Sequence, residues 1–322
     1  MRSIRRLFRR EETYLLLVII VIGVYLSIAT NGLFLTPLNL RDLFLYNIYI
    51  ANMAVGMLIV VISGGIDLSI CAMATVAQYV LGTYLLSGNG NMVVAILLVM
   101  GVGFVMGSVN GFFIYRFNIT PMIATIASMN VFYGLLQWAS KGKWLYQFPQ
   151  WFSVRGPLGV WFVVVLFVLV IAIVWFILNK TKMGRNIFAF GGNQEAAKRV
   201  GISRFKTQFF VYSFMGILAA VAGMGQLYLA QNYEPNALSG KELDILATVI
   251  IGGASLAGGK GTILGTLLGA SLLAIIKNGL ILTGVSSYNH SFVTGAVILV
   301  GLIFSNYVNN RQRSASGRGL KI

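Results

Sequence analysis

Apolar residues fall along this chain in long blocks, near 14–34, 43–63, 66–87, 92–115, 119–138, 158–178, 207–229, 244–258, 262–282 and 292–308. A helix needs about 20 mostly apolar residues to cross the hydrocarbon core of a bilayer, and a backbone in lipid must satisfy its own polar groups. The blocks therefore predict ten crossing helices. The apolar-polar alternation of barrel strands is absent.

Composition points the same way. Of the 322 residues 57% are hydrophobic and only 10% charged, whereas a soluble domain carries roughly 25% charged residues. The net charge of +16 resembles that of a nucleic-acid binder until its distribution is read. Sixteen of the 24 Lys and Arg lie within 1–10, 180–206 and 311–322, a topology signal that marks cytoplasmic segments. Six blocks separate the first two basic stretches and four the second two, so all three can share one side. The 139–157 segment is then outside, with Trp144, Tyr146 and Trp151 suited to an interfacial belt. The first block continues to Leu35, which is long for a signal-peptide core and right for a span. Cys71, the single cysteine, excludes an intramolecular disulfide and reads as a packing residue.

Two weak internal echoes point to an inverted repeat. Gly103, Gly107 and Gly111 in the fourth block match Gly261, Gly265 and Gly269 in the ninth, and Gly56 in the second matches Gly216 in the seventh. Blocks five apart run in opposite directions through the membrane, which is the architecture that frames a central site in many transporters. Small residues every fourth position also make a smooth face for close helix packing.

Ser63-Gly64-Gly65-Ile66-Asp67-Leu68-Ser69 interrupts the second and third blocks, and Gly252-Gly253-Ala254-Ser255 breaks the eighth. Both predict discontinuous helices, and such breaks point to a transport pathway. Asp67 is the one acidic residue read as deep in apolar territory, where a carboxylate either caps a helix or lines the path. In the fifth block Asn130, Tyr133 and Gln137 share a face at i, i+3 and i+7. Neutral amides and a phenol suit a hydroxylated solute better than an ion.

The stretch Gly191-Gly192-Asn193-Gln194-Glu195-Ala196-Ala197-Lys198-Arg199-Val200-Gly201 reads as a short exposed helix, with Asn193 its cap, Glu195 in its first turn, Lys198 and Arg199 in its last, and Gly201 closing it. A capped helix in the one long cytoplasmic loop is a docking element. Gly258-Gly259-Lys260-Gly261-Thr262 imitates a phosphate loop but has Ala254 where the first glycine belongs and Gly261 where Ser or Thr belongs. No nucleotide site is encoded, so any ATP is hydrolysed by another chain.

With these motifs in order, the chain resembles the monosaccharide-permease branch of bacterial ATP-binding-cassette importers. The carriers are Gly64 to Ser69, Gly192 to Gly201, Gly252 to Thr262, Asn278-Gly279-Leu280 and Gly284 to Tyr288. The resemblance implies an all-α, ten-helix permease domain spanning 1–322, with cytoplasmic tails 1–13 and 309–322 and a coupling loop 179–206. It implies a homo- or heterodimer in the bacterial inner membrane, a cassette ATPase carrying the ATP and Mg, and a periplasmic sugar-binding protein. It makes Gly192, Asn193, Glu195, Ala196, Ala197, Arg199 and Gly201 the coupling element. Two departures from the family pattern stand out: Cys71 replaces a glycine, and Asn289-His290 replace an aromatic and glutamine. An ion-coupled carrier and a branched-chain amino acid permease are the alternatives; the former would need more intramembrane carboxylates than Asp67.

Overall fold

The computed structural model describes residues 10–88, 90–286, 289, 292, 293, 295, 296 and 299. Most of the tenth block, both tail ends and His290 lie outside the described residues. Helices α1 (Arg10–Ala29), α2 (Pro37–Ile62), α3 (Ile70–Leu86), α4 (Met92–Arg116), α5 (Pro121–Ser140) and α6 (Trp161–Lys180) are followed by the short α7 (Lys182–Gly192) and α8 (Gln194–Arg199), then α9 (Arg204–Ala230), α10 (Glu242–Ile251) and α11 (Ile263–Leu282). Seven of them are long and apolar enough to cross a membrane, namely α1, α2, α4, α5, α6, α9 and α11.

The ends of these helices sit where the sequence supplies caps. Thr36 accepts from the Asn39 amide ahead of Pro37 at the first turn of α2, Asn91 accepts from Val93 N at 2.8 Å to open α4, and Thr262 accepts from Gly265 N at 3.0 Å to open α11. Each such cap contributes about 1 kcal/mol.

Two helices form the centre: in the most apolar 18-residue stretch of α2 and of α9 78% of residues are buried, against 22% in that of α6. The reason lies in side-chain size. A Cβ on Gly103 would strike the Gly216 carbonyl oxygen, one on Gly107 the Tyr212 carbonyl oxygen, and one on Gly111 the Phe209 backbone. The glycine stripe of α4 thus lies backbone to backbone on α9, the close approach that replaces the missing hydrophobic driving force between helices in lipid. The outer face of α6, by contrast, exposes Val165, Val168, Leu169 and Phe176, a surface for acyl chains.

The structure departs from the sequence expectations in five places. The third helix starts at Ile70, not 66, because the backbone of 63–69 is occupied by turns. The eighth is only Glu242–Ile251 and stops at Gly252, with Gly253 at φ +88, a left-handed conformation that glycine reaches without strain. The 179–206 stretch carries two helices, since Gly184, Ile187 and Phe190 give α7 a buried face. A two-residue antiparallel ladder, β1 (Leu145–Tyr146) with β2 (Asn232–Tyr233), ties the 139–157 segment to the end of α9. Trp144 and Tyr146 are exposed as an interfacial belt requires, but Trp151 turns inward, where its indole fills the space a Cβ on Gly90 would need.

Candidate functional site

Three glycine pairs, far apart in sequence, meet at one end of the bundle. Gly259 N donates to the Ile62 carbonyl, the last residue of α2, at 2.8 Å. A Cβ on Gly191 would collide with that same carbonyl, one on Gly258 with the Gly191 backbone, and one on Gly259 with Gly192. Gly64 stands beside Gly191, close enough that an added Cβ would lie 3.8 Å from its Cα. The break after α2, the end of α7 and the loop after α10 are therefore packed with no side chain between them. Motion of any one must be passed to the others, because close-packed backbones cannot absorb it.

Helix α8 leaves from this joint. Asn193 accepts from Ala196 N at 2.9 Å, while Gly201 N to Lys198 O and Ile202 N to Ala197 O, both 3.0 Å, close the far end. Gly201, at φ +83, sits in the left-handed closing position. Glu195 faces the positive end of the helix, and Lys198 and Arg199 the negative end. Gly192, Asn193, Glu195, Ala196 and Arg199 are exposed, and Val200 is 76% exposed. Ala197 is the correction: expected on the outward surface, it is buried, because the helix turns that side toward the protein body.

Asp67 is fully buried. Its Oδ1 accepts from Ser69 N at 2.9 Å and from Ser69 Oγ at 2.6 Å, and Asn110 Nδ2 of α4 donates to Ser69 Oγ at 2.8 Å. Leu68 N donates to Thr125 Oγ1 of α5 at 3.2 Å. The break is thereby tied to α4 and α5, with Asp67 in a cap-like turn ahead of α3. A cavity of about 200 Å³ adjoins the break, lined by Gly64, Gly65, Thr120, Gln194, Arg204 and Tyr212 among others. Asp67 does not line it. The Gly252-Gly253 break packs in the same fashion on α11: a Cβ on Gly252 or Gly265 would meet the other's backbone, and one on Gly269 would meet the Thr248 carbonyl. Gly261 is closed in by Leu58 and Ile62 of α2.

The expected α5 face divides. Asn130 is exposed, its amide donating to Ile126 O at 2.9 Å. Gln137 lines a cavity of about 320 Å³ at the opposite end of the bundle, with Lys141, Gly142, Trp144, Glu234, Pro235 and Asn236. Tyr133 lies between, half-buried, with its hydroxyl unpartnered. The sequence reading missed the groups around it. Glu242 opens α10 and carries a buried oxygen, Oε2, with no hydrogen-bond partner, and Asn52 Oδ1 on α2 is unpartnered as well. Lys241 Nζ reaches Tyr49 Oη at 3.0 Å, and Lys277 pairs with Asp244. Asp67, whose Oδ2 is likewise buried and unpartnered, is thus not the only carboxylate turned into the protein. A signal was available in Lys241-Glu242-Leu243-Asp244, which precedes an apolar run as acidic first turns do.

Comparison with known proteins decides what such a bundle is. Residues 39–302 match the family described as branched-chain amino acid transport system / permease component. The chain belongs to this permease family. It is 34% identical to the ribose import permease protein RbsC of Escherichia coli strain K12 over 92% of this chain and 94% of that one, and 35% identical to RbsC of Bacillus subtilis strain 168 over 88% of each. It is 30% identical to the galactose/methyl galactoside import permease protein MglC of Escherichia coli K12, over 92% and 94%. No solved structure matches it. The permease is a multi-pass membrane protein and a transport component, not an enzyme.

Proposed function

We propose that this permease forms the translocation pathway of an ATP-driven importer for a monosaccharide, energised by a separate cassette ATPase. The observation that carries it is the glycine joint: α8 is a capped, solvent-exposed helix rooted where three segments of the bundle touch backbone to backbone. A push on α8 is delivered to the ends of α2, α7 and the loop after α10 together. The exposed residues Glu195, Ala196 and Arg199 present the surface for the ATPase, which holds the ATP and Mg. Relatives named for ribose and galactose import support a sugar over an amino acid, as do the uncharged groups Asn130, Tyr133 and Gln137 along α5.

The finer architecture follows from the same reading. Ten spans, in one domain over 1–322, place 1–13, 179–206 and 309–322 in the cytoplasm and the 320 Å³ cavity at the periplasmic mouth, where a binding protein delivers solute. The inverted repeat gains support from packing. Gly103 in the fourth span meets Gly216 in the seventh, and its repeat mate Gly261, just ahead of the ninth, meets Leu58 and Ile62 in the second. A second permease subunit completes the path in the inner membrane, and Asn130 on an exposed α5 face is one of the groups it would cover. The Asp67 turn holds the inner break in register with α4 and α5.

Transport into vesicles carrying the permease, ATPase and binding protein tests this directly. Uptake of ribose or galactose should require ATP and the ATPase and should be competed by sugars but not by leucine. Uptake driven by a proton or sodium gradient without the ATPase would refute it. A cysteine placed at Gln194 should stay unlabelled by an impermeant reagent outside intact cells, and labelling there would overturn the ten-span topology.

A further inference from the structure

Of the six buried side-chain atoms without a hydrogen-bond partner among the described residues, three lie at similar heights in the bundle. Tyr133 lies twelve residues into α5, about 18 Å along the helix from its inner end. Glu242, the first residue of α10, stands about 14 Å above Ile251, which adjoins the inner end of α11. Asn52 lies ten residues from the inner end of α2, about 15 Å. The Tyr133 hydroxyl, Glu242 Oε2 and Asn52 Oδ1 are all buried without a hydrogen-bond partner. The Cys71 thiol is within reach of the Glu242 carboxylate, and the Thr75 and Ser239 hydroxyls are within reach of Tyr133, but none of these contacts has the geometry of a formed hydrogen bond to the Tyr133 hydroxyl or Glu242 Oε2. Asn52 is one turn along α2 from Tyr49, which holds Lys241 next to Glu242.

Buried polar groups normally find partners, and in lipid no water supplies one. A way in exists. Ser239 and Gly240, immediately before α10, are exposed, and exposed polar backbone at this depth belongs against a solute path rather than lipid. Gln137, one turn above Tyr133 on α5, and Asn236, on the segment leading down to Glu242, both line the outer cavity of about 320 Å³. The mouth, Tyr133 and Glu242 thus form one descending line.

We propose that Glu242, Asn52 and Tyr133 are the station that reads the hydroxyls of the solute midway through the membrane. The carboxylate and the amide oxygen accept hydrogen bonds from sugar hydroxyls, and the phenol donates one. A carboxylate spanning neighbouring hydroxyls distinguishes a sugar from its deoxy analogue, because the missing hydroxyl leaves a buried acceptor unpaired. This rests on the sugar-permease reading and names the side chains that select the cargo.

Cys71, the chain's single cysteine, reports on this station from within it. In proteoliposomes holding the permease with its ATPase and binding protein, a small methanethiosulfonate should modify Cys71 during ATP turnover, read by mass spectrometry of its peptide. Saturating D-ribose or D-galactose, whichever the wild type takes up, should slow that modification about 10-fold or more. Glu242→Gln should abolish the protection and lower uptake about 10- to 100-fold, with ATPase copurification unchanged and Glu242→Asp recovering part of the uptake. If Glu242→Gln fails to accumulate, Asn52→Leu and the wild-type protection carry the test. An unreactive Cys71 throughout turnover, sugar uptake without protection, or wild-type uptake by Glu242→Gln overturns the station alone. Absence of any sugar uptake by the wild type overturns the underlying reading, and the station with it.

Discussion

The inner joint and the midmembrane cluster are built on opposite principles. At the joint, Gly64, Gly191, Gly258 and Gly259 bring backbone against backbone, and the neighbouring Asp67 turn hydrogen-bonds to Ser69 through Oδ1, with Asn110 joining through the Ser69 hydroxyl, while Asp67 Oδ2 and Tyr212 Oη stay unpartnered. Around Tyr133, Glu242 and Asn52, large polar side chains converge with acceptors and a donor unfilled. The first arrangement has no slack and suits a part that transmits displacement. The second is built from side chains rather than backbone, and its Tyr133, Glu242 and Asn52 are the groups proposed to take a hydroxylated solute as partner. A stiff end and a middle lined by side chains would suit one rigid body rocking against another around a fixed site.

Substitutions at and around the joint should break this contrast in graded fashion. Ala197→Asp has the largest expected effect. It places a carboxylate where the side chain is buried, and an uncompensated buried charge costs about 3–5 kcal/mol; thermal unfolding in detergent should show a destabilised permease with reduced membrane abundance. Gly191→Ala comes next, since its methyl must displace the Ile62 carbonyl. Overpacking of this kind costs about 1–3 kcal/mol, and uptake should fall further than abundance because the joint itself is distorted. Asn193→Ala removes the cap on α8, about 1 kcal/mol, and should weaken ATPase copurification while leaving abundance near normal. Gly192→Ala is the smallest: no atom lies within 4 Å of the added Cβ, so abundance and unfolding temperature should match the wild type. Equal damage from Gly191→Ala and Gly192→Ala would mean that the close approach is not what couples the segments.

Much of this was legible in the sequence because lipid imposes coarse rules. Apolar length placed α4, α5, α6, α9 and α11 within three residues and α1 and α2 within six, and cap chemistry alone located α8 from Asn193 to Gly201. The losses were of two kinds. Amphipathic α7 was passed over as loop, although Met183, Ile187 and Phe190 keep helical spacing, because a short basic segment does not stand out among longer blocks. The β1–β2 ladder is two residues long, below any periodic signal. What no single-chain pattern carries is which way a side chain turns: Ala197 and Ala196 are equivalent in sequence, yet one is buried and the other exposed. Glu242 was missed for a related reason. It falls just ahead of the block beginning at 244, where a charge reads as lying in water, whereas its Oε2 is buried.

If α8 carries ATPase motion into the joint, copurification of the ATPase should depend on the exposed side of that helix. Glu195→Ala combined with Ala196→Asp changes two outward residues and leaves the buried Ala197 in place. An unpaired charge desolvated at an interface costs on the order of 2–5 kcal/mol, enough to weaken docking by tens of fold or more. The expected result is normal permease abundance, loss of the copurifying ATPase and loss of sugar uptake. Unchanged copurification together with unchanged uptake would contradict it.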